Sequence, residues 1–170
     1  MYDLNSNNVS KQSAENPIFS IIPFDNKKHW MFHSEGENYE LTTTDINQIY
    51  ELLTQAINDH NDIETAKFLK KQIDFPHLHL DVSNYTLSLD DYKRQYLAVK
   101  IKEEIVVFVQ CFCNKEHRNW QSEMIHVSDG GKCYFDVYIN LTQNTIQTIA
   151  VNGEAWKAFF STRTFHYTLK

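Results

Sequence analysis

Several things are scarce in this chain, and each scarcity excludes something. Only four glycines stand against nine tyrosines, eleven phenylalanines and three tryptophans in 170 residues, a balance that suits a packed, sheet-rich globule and not a disordered chain. Three cysteines cannot all pair within one chain, so a dense disulfide framework is not what organises it. A chain of this length can bury a core without metal or disulfide staples, so stability alone implies no cofactor. No run of about 18 apolar residues is present to span a bilayer. Basic clusters are missing too. With a formal net charge of −6 and no block of Lys and Arg, duplex nucleic acid and anionic membrane surfaces are disfavoured as partners.

The opening "MYDLNSNNVSKQSAENP" is polar and lacks the apolar core of a secretion signal, which predicts a flexible segment over residues 1–17 ahead of one domain over 18–170. The composition reads as soluble, in the cytoplasm or exported with its signal removed. "IFSIIPF" and "HWMFH" flank the polar turn Asp25 to Lys28 and predict a hairpin. In "TTTDINQIYELLTQAINDHN", Ile46, Ile49, Tyr50, Leu53, Ala56 and Ile57 recur at helical spacing, with Thr44 or Asp45 to cap the start. A second helix is expected over Ile63 to Ile73, with Ala66, Leu69 and Ile73 inward and Lys67, Lys70 and Lys71 outward, stopped before Pro76.

From there the period falls to two. "HLHLDV" alternates apolar and polar residues as a strand does, and "YLAVKI" and "IVVFVQCFC" flank Lys102-Glu103-Glu104 as an antiparallel pair. "KCYFDVYINL" should turn over Thr142 to Asn144 into "TIQTIAV", with a short helix over Glu154 to Phe160 and a last strand in "TFHYTL". The expected fold class is α+β: two N-terminal helices packed on a mainly antiparallel, curved sheet.

The pair Cys111 and Cys113 lies in the apolar run before "NKEH", with His117 four residues on. In an extended strand Ile105, Val107, Val109, Cys111 and Cys113 share one face, and Cys133 begins the corresponding face of the next strand, so the sulfurs read as buried packing. A bridge from Cys133 to Cys111 or Cys113 requires those strands to be neighbours. Neither a convergent zinc set nor the open, electropositive setting of a catalytic thiol is visible.

His77, His79 and Asp81 in "PHLHLDV" are the metal-ligating candidates, because a strand would project all three from one face, with His126 or His166 as a further ligand and a metal-bound water as nucleophile. The run is similar to the H-x-H-x-D-H motif of the metallo-β-lactamase superfamily, with Val82 where its last His stands. Asp129-Gly130-Gly131 lacks the residues of a phosphate loop and reads as a tight turn. "DDYKRQY" combines Tyr92, Arg94 and Tyr96, residue types that anchor protein interfaces, and Trp120 in "NKEHRNWQSE" either caps the core or serves as a further anchor.

The succession of "YKRQY", a strand closing in "CFC", a downstream Trp, "DGGKCYFDVYINL" and "VNGEA" resembles a group of small uncharacterised bacterial proteins, many of them export-associated, over Tyr92 to Ala155. The resemblance implies a shared fold and no activity. The acidic balance and the lack of a coherent catalytic set lead to a non-catalytic protein-binding module, of the inhibitor or immunity type, with another protein as partner and no cofactor. The alternatives are the metal-dependent hydrolase and a small apolar-ligand carrier with a pocket between helices and sheet.

Overall fold

The computed structural model describes residues 18–32, 36–113, 117–127, 129–153 and 157–158. In chain order these form β1 (Phe19–Ile21), β2 (Glu37–Asn38), α1 (Thr43–Asp74), β3 (Lys93–Ile101), β4 (Glu104–Phe112), β5 (Tyr134–Asn140), β6 (Thr145–Val151) and β7 (Lys157–Ala158), with single 3-10 turns between some of them. The class is α+β. The segments expected at 1–17 and in "TFHYTL" lie outside the described residues, as does most of the helix expected over Glu154 to Phe160, within which Lys157–Ala158 pairs as a strand with β6.

One continuous helix replaces the two expected. The segment from Asn58 to Asp62 contains neither Gly nor Pro, and Asn and Asp cost only about 0.7 kcal/mol each in a helix interior. The buried series Ile49, Leu52, Leu53, Ala56, Ile57, His60, Glu64, Phe68 runs through it without a phase break. Continuity fixes the phase of the second half, so Leu69 and Ile73, expected inward, point out. The start is set by Thr42, two residues before Thr44 and three before Asp45: its hydroxyl accepts from the Asp45 N–H (3.2 Å) while the Asp45 carboxylate accepts from the Thr42 N–H (2.8 Å), a reciprocal capping box.

The sheet is mixed, in the order β1-β3-β4-β5-β6-β7, with β2 also lying along β3. The β3–β4 hairpin runs from Lys93 opposite Phe112 to Ile101 opposite Glu104, and Lys102 takes a left-handed φ of 56° at its turn. β1 pairs parallel with β3, Phe19 opposite Arg94, which makes the sheet mixed where a mainly antiparallel one was expected and replaces the hairpin expected with "HWMFH". The reason lies in the turn. Asp25 accepts backbone bonds from Lys28 (3.0 Å) and His29 (2.9 Å), and its own N–H donates to His29 Nδ1 (2.9 Å), which winds the chain into a 3-10 turn at Trp30–Phe32.

Both faces of the central strands are covered, which explains why "IVVFV" reads as an unbroken apolar run. On one face α1 packs through Ile49, Leu53 and Ile57 over Tyr96, Val107, Val109, Phe135, Val137 and Ile149. On the other, Ile22, Met31 and Phe32 cover Leu97, Val99, Val106 and Phe108, and Trp120 and Ile125 cover Phe112 and Tyr134.

A polar row crosses that second face: Gln95 opposite Gln110, and Gln110 opposite Asp136. Burial pushes the Asp136 carboxyl up to about 7, only partly offset by a hydrogen bond from Gln110. The folded chain therefore holds a proton that the unfolded chain has released between pH about 4 and about 7, so this residue's contribution to stability falls as pH rises through that window and levels off above it. Asp136→Asn should remove this slope and stabilise the protein at pH 8 by about 2 kcal/mol, half the full linkage because the carboxyl keeps some solvent. Urea denaturation of both proteins at pH 4.5 and 8 checks it, and parallel pH dependence would contradict it.

Candidate functional site

At 32 residues α1 is about 48 Å long, against about 30 Å for its longest partner strands, so its second half overhangs the sheet. What it packs on there is the chain returning toward β3. Asn61 exchanges two hydrogen bonds with the backbone of Leu87 (2.8 and 2.7 Å), Phe68 meets the Tyr85 ring at 5.9 Å, and the Lys71 ammonium lies 5.6 Å from the Tyr85 ring centroid. Glu64, buried, pairs with Lys67 at 2.8 Å.

The opposite side of this overhang has no partner among the described residues and is apolar. Leu69 and Ile73, four residues apart and therefore neighbours on one helical face, are exposed, Ile73 at 79%. Phe75 and Leu78 continue the exposed series through the turn that ends the helix, where the Phe75 N–H donates to the Lys71 carbonyl (2.9 Å) and the Leu78 N–H to the Phe75 carbonyl (3.0 Å). Of the nearby lysines, Lys67 is paired with Glu64 and Lys71 lies over the Tyr85 ring on the packed side, which leaves Lys70 beside the stripe, with Asp74 next to Ile73. An exposed apolar stripe of this kind is suited to docking. The sequence reading missed it because it turned Leu69 and Ile73 inward. The signal was "AKFLKKQIDF" itself, whose apolar residues are too many for one buried face once Phe68 occupies it.

The residues expected at a binding surface are mostly interior. Tyr92 donates to the Lys132 carbonyl (2.8 Å) and stands edge-on to Phe135 (4.8 Å), and Tyr96 stacks on Phe19 (5.0 Å). Burial raises both phenols to about 12. Arg94 lies between them on the same face, also buried. Trp120 packs edge-on to Phe112 (5.6 Å) under the Lys93 ammonium (4.7 Å), and its carbonyl accepts from Gln95 and from Ser20 (3.2 Å). It is a core cap, so neither it nor the two tyrosines offers an open anchor.

The metal reading is corrected. "HLHLDV" is not a strand: the Pro76 turn leads to a 3-10 turn at Val82–Asn84 capped by the Asp81 carboxylate, which accepts from the Ser83 N–H (2.9 Å) and is held below the ordinary carboxylate range chiefly by that bond. His77 and His79 are exposed and lose the common face that an extended chain would have given them. Among the described residues no three His, Cys, Asp or Glu side chains converge on a point. His126 is exposed and His166 lies outside the described residues.

The cysteines divide. Cys111 is free and fully buried, and burial pushes its thiol far up. Because Phe112 opposes Tyr134 in the β4–β5 ladder, the next position brings Cys113 to Cys133, and these two form a disulfide with Cα atoms 5.0 Å apart. The glycine turn precedes it. Gly130 has φ 102°, and a Cβ there would fall 2.5 Å from the Tyr134 ring. Lys132 is committed to the Ser83 and Thr86 carbonyls, so the loop offers no free phosphate-binding lysine. A cleft of about 390 Å³ lined by Phe24, Asp25, Asn26 and Gly36 lies away from the interface of α1 with the sheet, where the carrier reading placed its pocket and where packed side chains stand.

Comparison with family models, curated proteins and solved structures finds no match to this chain. Among the described residues no helix is long and apolar enough to cross a membrane.

Proposed function

We propose that this chain is a non-catalytic module that binds another protein, of the inhibitor or immunity type, and that it docks through the overhanging end of α1. The observation that carries this reading is the run of exposed apolar side chains Leu69, Ile73, Phe75 and Leu78, with Lys70 exposed beside it. The apolar area supplies affinity, and the net charge of −6 disfavours a strongly acidic partner. The Cys113–Cys133 bridge supports work in an oxidising compartment, in keeping with the resemblance to export-associated bacterial proteins.

The test compares native-extract capture by the parent protein and by a Leu69→Asp/Ile73→Asp double variant. Both positions are exposed, so the variant should melt within a few degrees of the parent. A specific protein recovered by the parent and lost at least tenfold by the variant is the expected result. Equal recovery by both would contradict docking here, and binding of the parent to anionic vesicles with no protein partner would replace the protein with a lipid surface.

A further inference from the structure

Arg94 presents an anomaly on a different part of the molecule. It projects from β3 on the face beneath α1, level with Phe19 on β1 and Cys111 on β4, and retains only 7% of its surface. Its guanidinium makes no ion pair and donates no hydrogen bond to any described residue, and Nε is sealed from solvent without a partner. The nearest compensation is the ring of Tyr50, whose centroid lies 5.8 Å from the guanidinium carbon. Tyr50 is itself 49% exposed, so the arginine sits directly behind a surface tyrosine and not in the centre of the core. The surroundings are Tyr50, Phe19, Tyr96 and Cys111, none of which carries a formal charge at neutral pH.

A buried, permanently charged group whose Nε is sealed without a partner is costly, and native proteins generally match such a group with a counter-charge, an ordered water or a ligand. We propose that Arg94 is the anchor of a binding site for a monocarboxylate, located between β1 and the first half of α1, with Tyr50 as its aromatic flank. The planar fork of a guanidinium matches the two oxygens of a carboxylate. One positive charge amid apolar and aromatic walls balances one negative charge. A phosphate, nearer −2 at neutral pH, would retain an uncompensated charge in an acidic protein without a second cation. A free small molecule and a peptide side chain present the same carboxylate to the guanidinium, and benzoate reads the free form.

Thermal denaturation of the full chain in sodium benzoate, sodium phosphate and sodium chloride at equal ionic strength tests the site directly. Benzoate should raise the Tm by several degrees over chloride, phosphate should not, and the benzoate shift should vanish in Arg94→Met, which keeps the length of the stem. Arg94→Lys retains the charge without the fork and should keep less than half of the shift. No benzoate-specific shift in the parent protein, an equal shift in phosphate, a shift that survives in Arg94→Met, or one kept at more than half in Arg94→Lys would overturn the assignment. None of these readings depends on the end of α1, so failure here leaves the docking proposal standing.

Discussion

Gln95→Leu is expected to destabilise the protein by about 3 kcal/mol, although leucine is the more apolar residue and the site is fully buried. The Gln95 amide donates to the Trp120 carbonyl and to the Glu123 carbonyl (2.7 Å), and its oxygen accepts from the Ile125 N–H (2.9 Å). One side chain thereby satisfies three backbone groups of the irregular segment that covers Phe112. Leucine fills the volume and leaves the Ile125 N–H and the Glu123 carbonyl to find other partners, while the Trp120 carbonyl keeps only Ser20, at about 1–3 kcal/mol for each buried group left unpaired. Urea denaturation measures the loss. A change under 1 kcal/mol would mean that the segment rehydrates easily and that Trp120 is not held as described.

The second large effect is removal of the disulfide. Cys113→Ala/Cys133→Ala opens a cross-link between residues 20 apart in sequence, and chain-entropy arguments put its contribution at about 3 kcal/mol. The bridge also stands at the end of the β4–β5 ladder, where the Cys113 N–H donates to the Cys133 carbonyl (2.9 Å), and just after the turn that Lys132 ties to residues 83 and 86. The loss should therefore be accompanied by faster amide exchange at Gly131 to Tyr134. Alkylation of the undenatured parent should leave all three sulfurs unmodified: two are bonded and Cys111 is enclosed. Rapid labelling of the native protein would contradict the packing of β4.

The β-rich half of the fold was legible because its signals are local. The runs that became β3, β4, β5 and β6 each carry turn residues at their ends, and Lys102 and Asn144 take the left-handed φ their turns require. The shared face of Ile105, Val107, Val109 and Cys111 follows from the two-residue period alone. What could not be read depends on distant partners. β1 has the composition of a hairpin arm, yet it pairs parallel with β3, more than 70 residues away, because the Asp25–His29 bonds bend the intervening chain elsewhere. "HLHLDV" has a strand's alternation but follows Pro76 and finds no ladder, so Leu78 and Val82 stay exposed. The docking stripe was hidden for the same kind of reason. The helix phase around Leu69 is set by His60 and Glu64 upstream, polar residues that the apolar pattern does not mark as buried. Arg94 was picked out from its residue type as an interface anchor, whereas its buried, uncompensated position is a property of the fold.

The claim on which the functional account rests is that the apolar end of α1 is a protein-docking surface. Hydroxyl-radical footprinting of the parent protein, alone and with its captured partner, reads the relevant side chains themselves. The account predicts that Leu69, Ile73 and Phe75 oxidise readily in the free protein and are protected at least fivefold in the complex, while Tyr50 and Ile18 at the β1 edge are unchanged. Protection at that edge with Leu69, Ile73 and Phe75 still open would contradict it.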